Sequence, residues 1–326
     1  MTPELSVIIP VYNGASYICQ AIDSVLNQIG VTTEIIVVND GSTDDLLDRL
    51  VSYEGNISLY SIKHSGLSAA RNYGLEKVTC EYVMFLDADD FLLDKNICKE
   101  CIDRMKAENL ELVLFSFQYY NTKSGKFIDA QSYSKDLEVI TDSSLLIQGM
   151  ISTGNFPASA CFKVVRNDML KSNNLVFKGG TVAQDVEWFV RLIIAVDKFS
   201  IINTPAYIYR KNVADSMTST MDLEKCQQFL WMINEALACI KDAQDPIKKK
   251  ALYSSMAYEY CILIGNVQNV DEGHFMEEDL KGLSWLLNYD LFPRIKYAKW
   301  LYRMLGYRIT SSLFGLYIRW FAKSNR

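Results

Sequence analysis

At 326 residues the chain is long enough for one large domain or two smaller ones, and its hydrophobic share of 49% allows a substantial core. A charged fraction of 22% and an aromatic fraction of 12% exclude an intrinsically disordered protein. With a net charge of −6, we expect no nucleic-acid partner.

The sequence predicts neither a secretory signal nor a membrane-spanning helix. The N-terminal MTPELSVIIP lacks a basic segment followed by a long apolar run, and no uncharged stretch reaches ~18 residues. The eight cysteines follow no disulfide framework, which indicates free thiols in a reducing compartment. Cys98 and Cys101 form a lone C-x-x-C, which we interpret as two thiols on one helix face. We therefore expect a cytoplasmic protein.

Residues 1–118 alternate apolar β-type runs with helical patterns. This alternation predicts an α/β fold whose mostly parallel sheet is flanked by helices. The predicted strands are Leu5–Pro10, Glu34–Asp40, Ile57–Ile62, Tyr82–Asp87 and Leu112–Phe117.

The first two predicted helices each present one apolar face. In the first helix this face comprises Ile18, Ile22, Val25 and Leu26. The second helix starts from a capping-box pattern at Ser42–Asp45, and its expected buried residues are Leu46, Leu47 and Leu50.

The remaining chain divides at about residue 221. Within 119–221, Ser124-Gly125 indicates a hairpin or loop, and the sequence predicts a helix near Leu145–Ile151, a strand near Ala160–Val165 and a helix over Gln184–Val196. Residues 222–326 are predicted to be helical, with a break near Asp245-Pro246. We therefore expect three segments, 1–118, 119–221 and 222–326.

Polar residues follow the first two predicted strands. Asp40 ends the second strand before a Gly turn, and Tyr12 follows the first strand. Ligands of open α/β sheets bind beyond the carboxyl ends of strands, so Asp40 is suited to accept a hydrogen bond from a base or ribose, and Tyr12 to stack on a flat ring. The alternative, a turn with Asp40 as a helix cap, stays open.

Three carboxylates, Asp87, Asp89 and Asp90, follow the fourth predicted strand. Such clustering is electrostatically costly unless a cation or protons offset it. Carboxylate oxygens suit Mg²⁺ or Mn²⁺, and Mg²⁺ is often held by one or two carboxylates together with substrate phosphates. We favour a metal site over a solvated acidic turn.

The helix before that strand carries Arg71, which could meet a nucleotide or its phosphates, although a surface arginine is a rival interpretation. Lys63–Gly66 opens the same helix, and its backbone N–H groups are expected to face an anion.

Four blocks in order carry a family resemblance: SVIIPVYNGASYICQAIDSVLNQ, EIIVVNDGSTDD, GLSAARNYGLEK and YVMFLDADD. Together they resemble the family 2 inverting glycosyltransferases of the GT-A fold, which act in bacterial surface polysaccharide synthesis. The resemblance is strong over residues 5–95, weaker over 117–149, and resumes near 160–191.

The resemblance implies a role for each matching residue. Those assigned to the nucleotide are Pro10, Tyr12 and Asn13 in the nucleoside pocket, Asp40 on the base, Arg71 on the nucleotide and Asp87 near the ribose. It assigns Asp89 to the metal, Mg²⁺ or Mn²⁺, and Asp185 to deprotonation of the acceptor hydroxyl, with Asp90 as a weaker candidate.

The base motif departs from the family pattern at one position. The family has Glu before the catalytic Asp, whereas this chain has Gln184. A neutral amide keeps a hydrogen bond but loses a charge, and Glu187 is a nearby carboxylate that could share the work.

Two further segments have assigned functions. Tyr209–Lys211 through Ser216–Thr218 resembles the family segment that folds over the donor, with Arg210 as a weaker phosphate-contact candidate. After Asp290 the chain has eight Lys or Arg and no Asp or Glu, and its aromatic residues include Trp300, Tyr302, Tyr307, Phe314, Tyr317, Trp320 and Phe321. The tail Trp300–Phe321 is read either as an interfacial helix at an anionic membrane, such as the inner face of the cell membrane, or as a packed helix with a basic face.

The resemblance therefore implies a metal-dependent inverting transferase. It moves a sugar from a nucleoside diphosphate, by family default UDP, to a saccharide or lipid-linked saccharide hydroxyl. A catalytically silent nucleotide-sugar- or glycan-binding module is the alternative, because of Gln184. A nicotinamide oxidoreductase lacks its G-x-G-x-x-G after the first strand, and a phosphoryl-transfer enzyme lacks its P-loop.

Overall fold

The computed structural model describes residues 2–128, 132–211 and 221–324, with side chains as far as Trp320. The strands in these residues are β1 Leu5–Val11, β2 Thr33–Asn39, β3 Ser58–Ser61, β4 Tyr82–Phe85, β5 Phe91–Leu92, β6 Leu112–Asn121, β7 Lys126–Ile128, β8 Lys163–Arg166 and β9 Phe199–Lys211. The helices are α1 Ile18–Leu26, α2 Leu46–Leu50, α3 Leu67–Lys77, α4 Ile97–Glu108, α5 Ser143–Ser152, α6 Asn167–Ser172, α7 Gln184–Ala195, α8 Leu223–Asp242, α9 Pro246–Val267, α10 Glu277–Gly282 and α11 Pro293–Ser324. Short 3-10 helices cover Val51–Tyr53, Lys135–Leu137, Gly273–Met276 and Ser284–Asn288.

All nine described strands belong to one sheet, in the order β3-β2-β1-β4-β8-β6-β9-β5, with β7 paired to β6. The pairs β1–β2, β1–β4, β2–β3 and β6–β9 are parallel. Because β8 is antiparallel to both β4 and β6, these two strands run in the same direction. Only β5, β7 and β8 run against the other strands, so the predicted mostly parallel sheet is confirmed.

The hairpin predicted at Ser124-Gly125 is confirmed as the β6–β7 turn. The long strand β9 was not predicted. Pro205 lies in its interior, and a proline normally argues against a paired strand. Here the β6–β9 register shifts on either side of the pair Ser116–Pro205, which accommodates the missing N–H.

Two details of the predicted helices are wrong. Leu26 is exposed, because the buried face of α1 consists of Ile18, Ile22 and Val25 together with a neighbouring alanine. Leu47 is exposed, because the short α2 buries only its first and last residues, Leu46 and Leu50. The expected capping box does not form. The Ser42 hydroxyl instead accepts a hydrogen bond from the backbone of the loop after β1, and Asp44 accepts one from the Leu46 N–H.

The chain divides into two compact units. The first comprises Met1–Ser143, Ser159–Gly180 and Ala195–Val213, and it contains the sheet. Its strand β1 is buried along its whole length. Helix α3 packs on β1 at Gly74, where a Cβ atom would lie only 2.4 Å from the Ile8 Cγ2 atom. Only glycine permits this approach, which sets how closely α3 lies against the sheet.

The second unit comprises Ser144–Ala158, Thr181–Ile194 and Ala214–Arg326. Asp222 and Asp245 directly precede helices α8 and α9. Their side chains accept hydrogen bonds from backbone N–H groups in the first turn of each helix. Pro246 follows as the first residue of α9, a position where a missing N–H costs nothing. The predicted break at Asp245-Pro246 is therefore confirmed.

The last helix, α11, is bent at Gly306, whose φ of 69° lies in the left-handed region that glycine tolerates. Its inner face buries Ile295, Ala298, Tyr307 and Thr310. No helix in the described residues is long and apolar enough to cross a membrane.

All eight cysteines lie in described parts of the chain, and none of them forms a disulfide. Cys98 and Cys101 are buried on α4, in agreement with two thiols on one helix face. Burial raises the pKa of the Cys98 thiol to about 12, which makes it a poor nucleophile or metal ligand.

Candidate active site

The acidic turn, Asp87–Asp90, connects β4 to β5 at the carboxyl end of β4. The Leu86 N–H donates to the Ile8 carbonyl, so this end of β4 lies beside β1, and the Asp90 N–H donates to the Asp87 carbonyl to close the turn. The turn is followed at once by β5, which pairs with β9. Both its start and its end are therefore attached to the sheet.

Arg71 on α3 holds one side of the turn. Its Nη2 lies 2.9 Å from the Asp87 Oδ1, and the side chain of Arg71 is only 1% exposed. The guanidinium lies over the rings of Phe177 and Phe85, at 5.1 and 6.0 Å from their centroids. The surface-arginine interpretation is wrong, because the cation is buried against aromatic faces and directed at a carboxylate.

Burial and mutual repulsion disfavour ionisation of the other two carboxylates. For Asp89, burial and then the charge of Asp87 raise the pKa to about 6. For Asp90, which is 2% exposed, burial and then the charges of Asp89 and Asp87 raise the pKa well above its usual value. A solvated acidic turn is therefore the wrong description.

The donor set of this turn fits a divalent cation that is held mainly by substrate phosphates. Asp87 is paired with Arg71, and Asp90 accepts hydrogen bonds from Tyr207 and from the Arg210 N–H. In the described residues no group of three or more His, Cys, Asp or Glu side chains is arranged as a metal cage. Asp89 is left as the carboxylate whose ionised form a cation would stabilise, and one carboxylate with phosphates is a common Mg²⁺ arrangement.

A second group of predicted residues lies at the ends of β1 and β2. Pro10 is buried within β1, beyond the point where pairing with β4 ends at Ile8. Asn13, whose φ is 51°, accepts a hydrogen bond from the Thr43 N–H at 2.8 Å. Tyr12 is half exposed and stacks on His64, with ring centroids 4.1 Å apart. An aromatic surface therefore stands beside the ends of these strands.

Asp40, which follows β2, accepts hydrogen bonds from the backbone N–H groups at the N-terminus of α3. Its Oδ1 accepts the Ser65 N–H at 2.7 Å, its Oδ2 accepts the Gly66 N–H at 2.8 Å, and His64 Nδ1 lies 2.9 Å from Oδ2. The anion expected at these N–H groups is thus the protein's own Asp40, so they do not face a ligand directly. A carboxylate oxygen has two lone pairs, so Oδ1 keeps capacity for one more donor.

The predicted base residues lie in the second unit, on the first turn of α7. Asp185 is half-buried and Gln184 is buried, and Ala183 precedes them with a φ of 57°. Glu187 is bound through both carboxylate oxygens to Arg191, at 2.6 and 2.9 Å. Because the helix places Glu187 and Arg191 four residues apart, this ion pair is local to α7.

Sequence analysis missed Tyr207 and His64. Tyr207 lies in the unpredicted strand β9, and no signal in the sequence connects it to the acidic turn 120 residues earlier. His64 was part of a predicted helix start, and its contact with Tyr12 depends on how α3 meets β1. Arg210 is described, but Ser216–Thr218 lie outside the described residues.

A mostly parallel sheet with carboxylates and an aromatic ring beyond its strand ends has the arrangement in which open α/β proteins bind their ligands. The sequence model of the family described as Glycosyl transferase family 2 matches residues 6–173, which is more than half of the chain. The protein therefore belongs to this family and is a glycosyltransferase.

Individual relatives agree with this assignment. The chain is 21% identical over 272 residues to the glycosyltransferase GlyG of Streptococcus pneumoniae, which covers 80% of this chain and 88% of GlyG. It is similar to the structure of S. aureus TarS in complex with UDP-GlcNAc, with a TM-score of 0.69 and 19% identity, covering 97% of this chain and 92% of that one. The mannosyltransferase PcManGT from Pyrobaculum calidifontis, in complex with GDP-Man and Mn²⁺, gives a TM-score of 0.54 at 14% identity, covering 97% and 88%. The two structures share the fold, and the predicted fold class is confirmed.

The buried contacts of Asp40 predict a measurable stability role. Asp40→Ala leaves the Ser65 and Gly66 N–H groups without their acceptor, so the free energy of unfolding should fall by about 1–3 kcal/mol in a urea titration. Asp45→Ala is the matched control, because Asp45 is exposed and its ion pair with Arg49 should contribute little. Equal stability of the two variants would contradict the assigned role.

Proposed function

We propose that this protein is a metal-dependent inverting glycosyltransferase. It moves a sugar from a nucleoside diphosphate, with UDP as the proposed nucleotide, to a hydroxyl of a saccharide or lipid-linked saccharide. The observation that carries the proposal is the acidic turn, in which Asp89 has a raised pKa of about 6 while Asp87 and Asp90 are bound to other groups. Such a turn suits a cation that arrives with the donor diphosphate.

On the donor side, Asp89 would hold Mg²⁺ or Mn²⁺ together with the diphosphate. The cation, when bound, would offset the charge that develops on the leaving nucleoside diphosphate. Arg71 keeps Asp87 oriented near the proposed ribose position. Tyr12, Pro10 and Asn13 would form the nucleoside pocket, with Tyr12 stacking on the base.

Two fold relatives bind different nucleotides, since TarS is described with UDP-GlcNAc and PcManGT with GDP-Man. We choose UDP because TarS has the higher TM-score of these two. The free lone pair of the Asp40 Oδ1 would accept the base N–H, while its other contacts keep the carboxylate in place.

On the acceptor side, Asp185 would remove the proton from the attacking hydroxyl. A sugar hydroxyl is a poor nucleophile, and a positioned carboxylate helps by general base catalysis. Attack from the side opposite the leaving group inverts the anomeric carbon. Glu187 is a poorer candidate, because taking up a proton would break its two-pronged ion pair with Arg191.

The proposed metal role predicts that turnover requires a divalent ion and Asp89. Hydrolysis or transfer of UDP-sugars should cease in chelator and return with Mn²⁺ or Mg²⁺, because the leaving diphosphate would otherwise lack the cation that offsets its charge. Asp89→Ala should abolish this rescue. A screen of UDP- and GDP-sugars by release of nucleoside diphosphate measures both effects.

Asp103→Ala is the control for that experiment, since Asp103 is an exposed carboxylate on α4 paired with Lys99. It should keep full metal-dependent activity. Full activity of the wild-type protein in chelator would reject the metal role. Binding of donor without any release of nucleoside diphosphate would instead favour the silent-module alternative.

The proposed base predicts that Asp185→Asn lowers sugar transfer by at least ~100-fold, the low end for loss of a general base. Nucleotide affinity should hardly change, because Asp185 is assigned to the acceptor. Gln184→Glu restores the family pattern and should be tolerated. Normal transfer by Asp185→Asn would move the base elsewhere, with Glu187→Gln the next variant to assay after a check of its folding.

We also propose that α11 contacts an anionic membrane surface. Its outer face exposes apolar and aromatic side chains at helical spacing on both sides of Gly306: Tyr297, Trp300, Met304, Ile309, Leu313, Leu316, Tyr317 and Trp320. Aromatic rings favour the headgroup zone, and basic residues near an anionic surface contribute about 1 kcal/mol each. Lys299 and Arg308 form ion pairs with Asp290 and Glu277, so the positive charge of the tail is smaller than a count of its basic residues indicates.

The packed-helix interpretation is correct for the other face, where Ile295 and Tyr307 are buried. A truncation at Asp290 would therefore expose core residues as well as remove the outer face. The side chain of Phe321, counted among the tail aromatics, lies outside the described residues. Point variants on the outer face test membrane contact more cleanly.

The double variant Trp300→Gln/Trp320→Gln should sediment less with vesicles of phosphatidylglycerol and phosphatidylcholine, because it loses two rings suited to the headgroup zone. Wild-type binding should weaken as salt rises, since ions screen the basic residues. Phe275→Gln, at an exposed aromatic residue outside α11, should bind like the wild type. Equal sedimentation of the wild-type protein with these anionic vesicles and with neutral phosphatidylcholine vesicles would reject the proposal.

A further inference from the structure

Strand β9 holds the acidic turn by its backbone and by a buried hydroxyl. The Tyr207 hydroxyl donates to the Asp90 Oδ2 at 2.6 Å and accepts the Asp87 N–H at 3.4 Å. The Arg210 N–H donates to the Asp90 Oδ1 at 2.8 Å. Both oxygens of Asp90 are therefore bound to β9, and Tyr207 spans the turn from its first residue to its last.

The side chain of Arg210 holds the middle of the same turn. Its Nη1 donates to the backbone carbonyl of Asp89, and its Nη2 donates to the Gln20 side chain on α1. The guanidinium lies between two rings, 4.8 Å from the centroid of Phe91 and 5.2 Å from that of Tyr17. Arg210 is 7% exposed, so this arrangement is an internal one.

These contacts reach Asp89 without touching its carboxylate. A carbonyl held by a guanidinium fixes the peptide of Asp89, and therefore the direction from which its side chain leaves the backbone. Arginine suits this task because its planar group offers several donors in a fixed geometry.

We propose that Arg210, Tyr207 and Asp90 form a β9 clamp that positions Asp89 for the donor's diphosphate and its cation. Arg210 is then a positioning residue that acts through the Asp89 peptide, rather than a group that contacts the phosphates. This inference rests on the proposed metal-dependent function, and it extends that function to a strand that follows the proposed base in sequence.

The test is calorimetric titration of UDP, and in parallel GDP, with and without Mn²⁺. The quantity compared is the gain in nucleotide affinity that Mn²⁺ gives. Arg210→Gln should reduce this gain at least ~10-fold. Arg210→Lys should reduce it less, because an ammonium can keep one of the two Nη contacts but not both. Uridine affinity without metal should stay at the wild-type value.

Tyr207→Phe separates positioning from phosphate contact. Tyr207 is fully buried, and its hydroxyl meets only the turn among the contacts described, so its loss should also lower the Mn²⁺-dependent gain. Arg104→Gln is the matched control: it removes another guanidinium that donates to a backbone carbonyl, that of Ile201 on β9 at 2.9 Å, away from the acidic turn. The gain should be unchanged in this variant.

The outcomes distinguish the clamp from the function it rests on. A wild-type protein without any Mn²⁺-dependent gain overturns both the metal role and the clamp. A wild-type gain that Tyr207→Phe keeps, while Arg210→Gln loses it, overturns the clamp in favour of direct phosphate contact. A gain kept by all variants overturns the clamp alone. Melting temperatures identify any variant that misfolds, and Arg210→Lys and Tyr207→Phe then carry the test.

Discussion

The structure depends on the charge balance of the acidic turn. Three carboxylates lie within four residues, and burial strengthens their repulsion because the protein interior screens charge less than water does. Two buried arginines oppose it, Arg71 on α3 and Arg210 on β9. Each guanidinium lies against two aromatic rings, which hold the cations in place at the cost of their hydration.

This balance leaves the three carboxylates in different states. Asp87 has a direct ionic partner, and Asp90 has two hydrogen-bond donors but a strongly raised pKa. Asp89 has its pKa raised to about 6, and its backbone carbonyl is held by Arg210. Similar residues therefore acquire separate tasks from their surroundings, in the way that environment divides the work of paired carboxylates in enzymes.

The sequence predicted the parts of the site that depend on local patterns. Strand ends followed by polar residues identified Asp40 and the acidic turn, because apolar β-type runs and Gly turns are local signals. It did not predict β9, since Pro205 conceals the strand and the register shift that accommodates it. It also could not show that Asp40 satisfies α3, because that contact joins backbone groups 25 and 26 residues away.

The contacts missed by sequence analysis are those that assemble the site. Tyr207 and Arg210 meet the turn through β9, which pairs with β5 and β6, strands that lie far earlier in the chain. The acidic turn therefore gains its geometry from the completed sheet, and a peptide with the same motif would lack it. A variant that weakens the β6–β9 pairing should disturb Asp89 without changing any residue of the turn itself.

The proposed separation of metal and base follows from the same electrostatics. A carboxylate beside a divalent cation is stabilised in its ionised form, which makes it a weak acceptor for a proton. General base catalysis would therefore require a carboxylate from elsewhere in the chain, and Asp185 on α7 is the residue proposed for it. On the same helix turn Glu187 is bound to Arg191 through both oxygens, an ion pair that protonation of Glu187 would break.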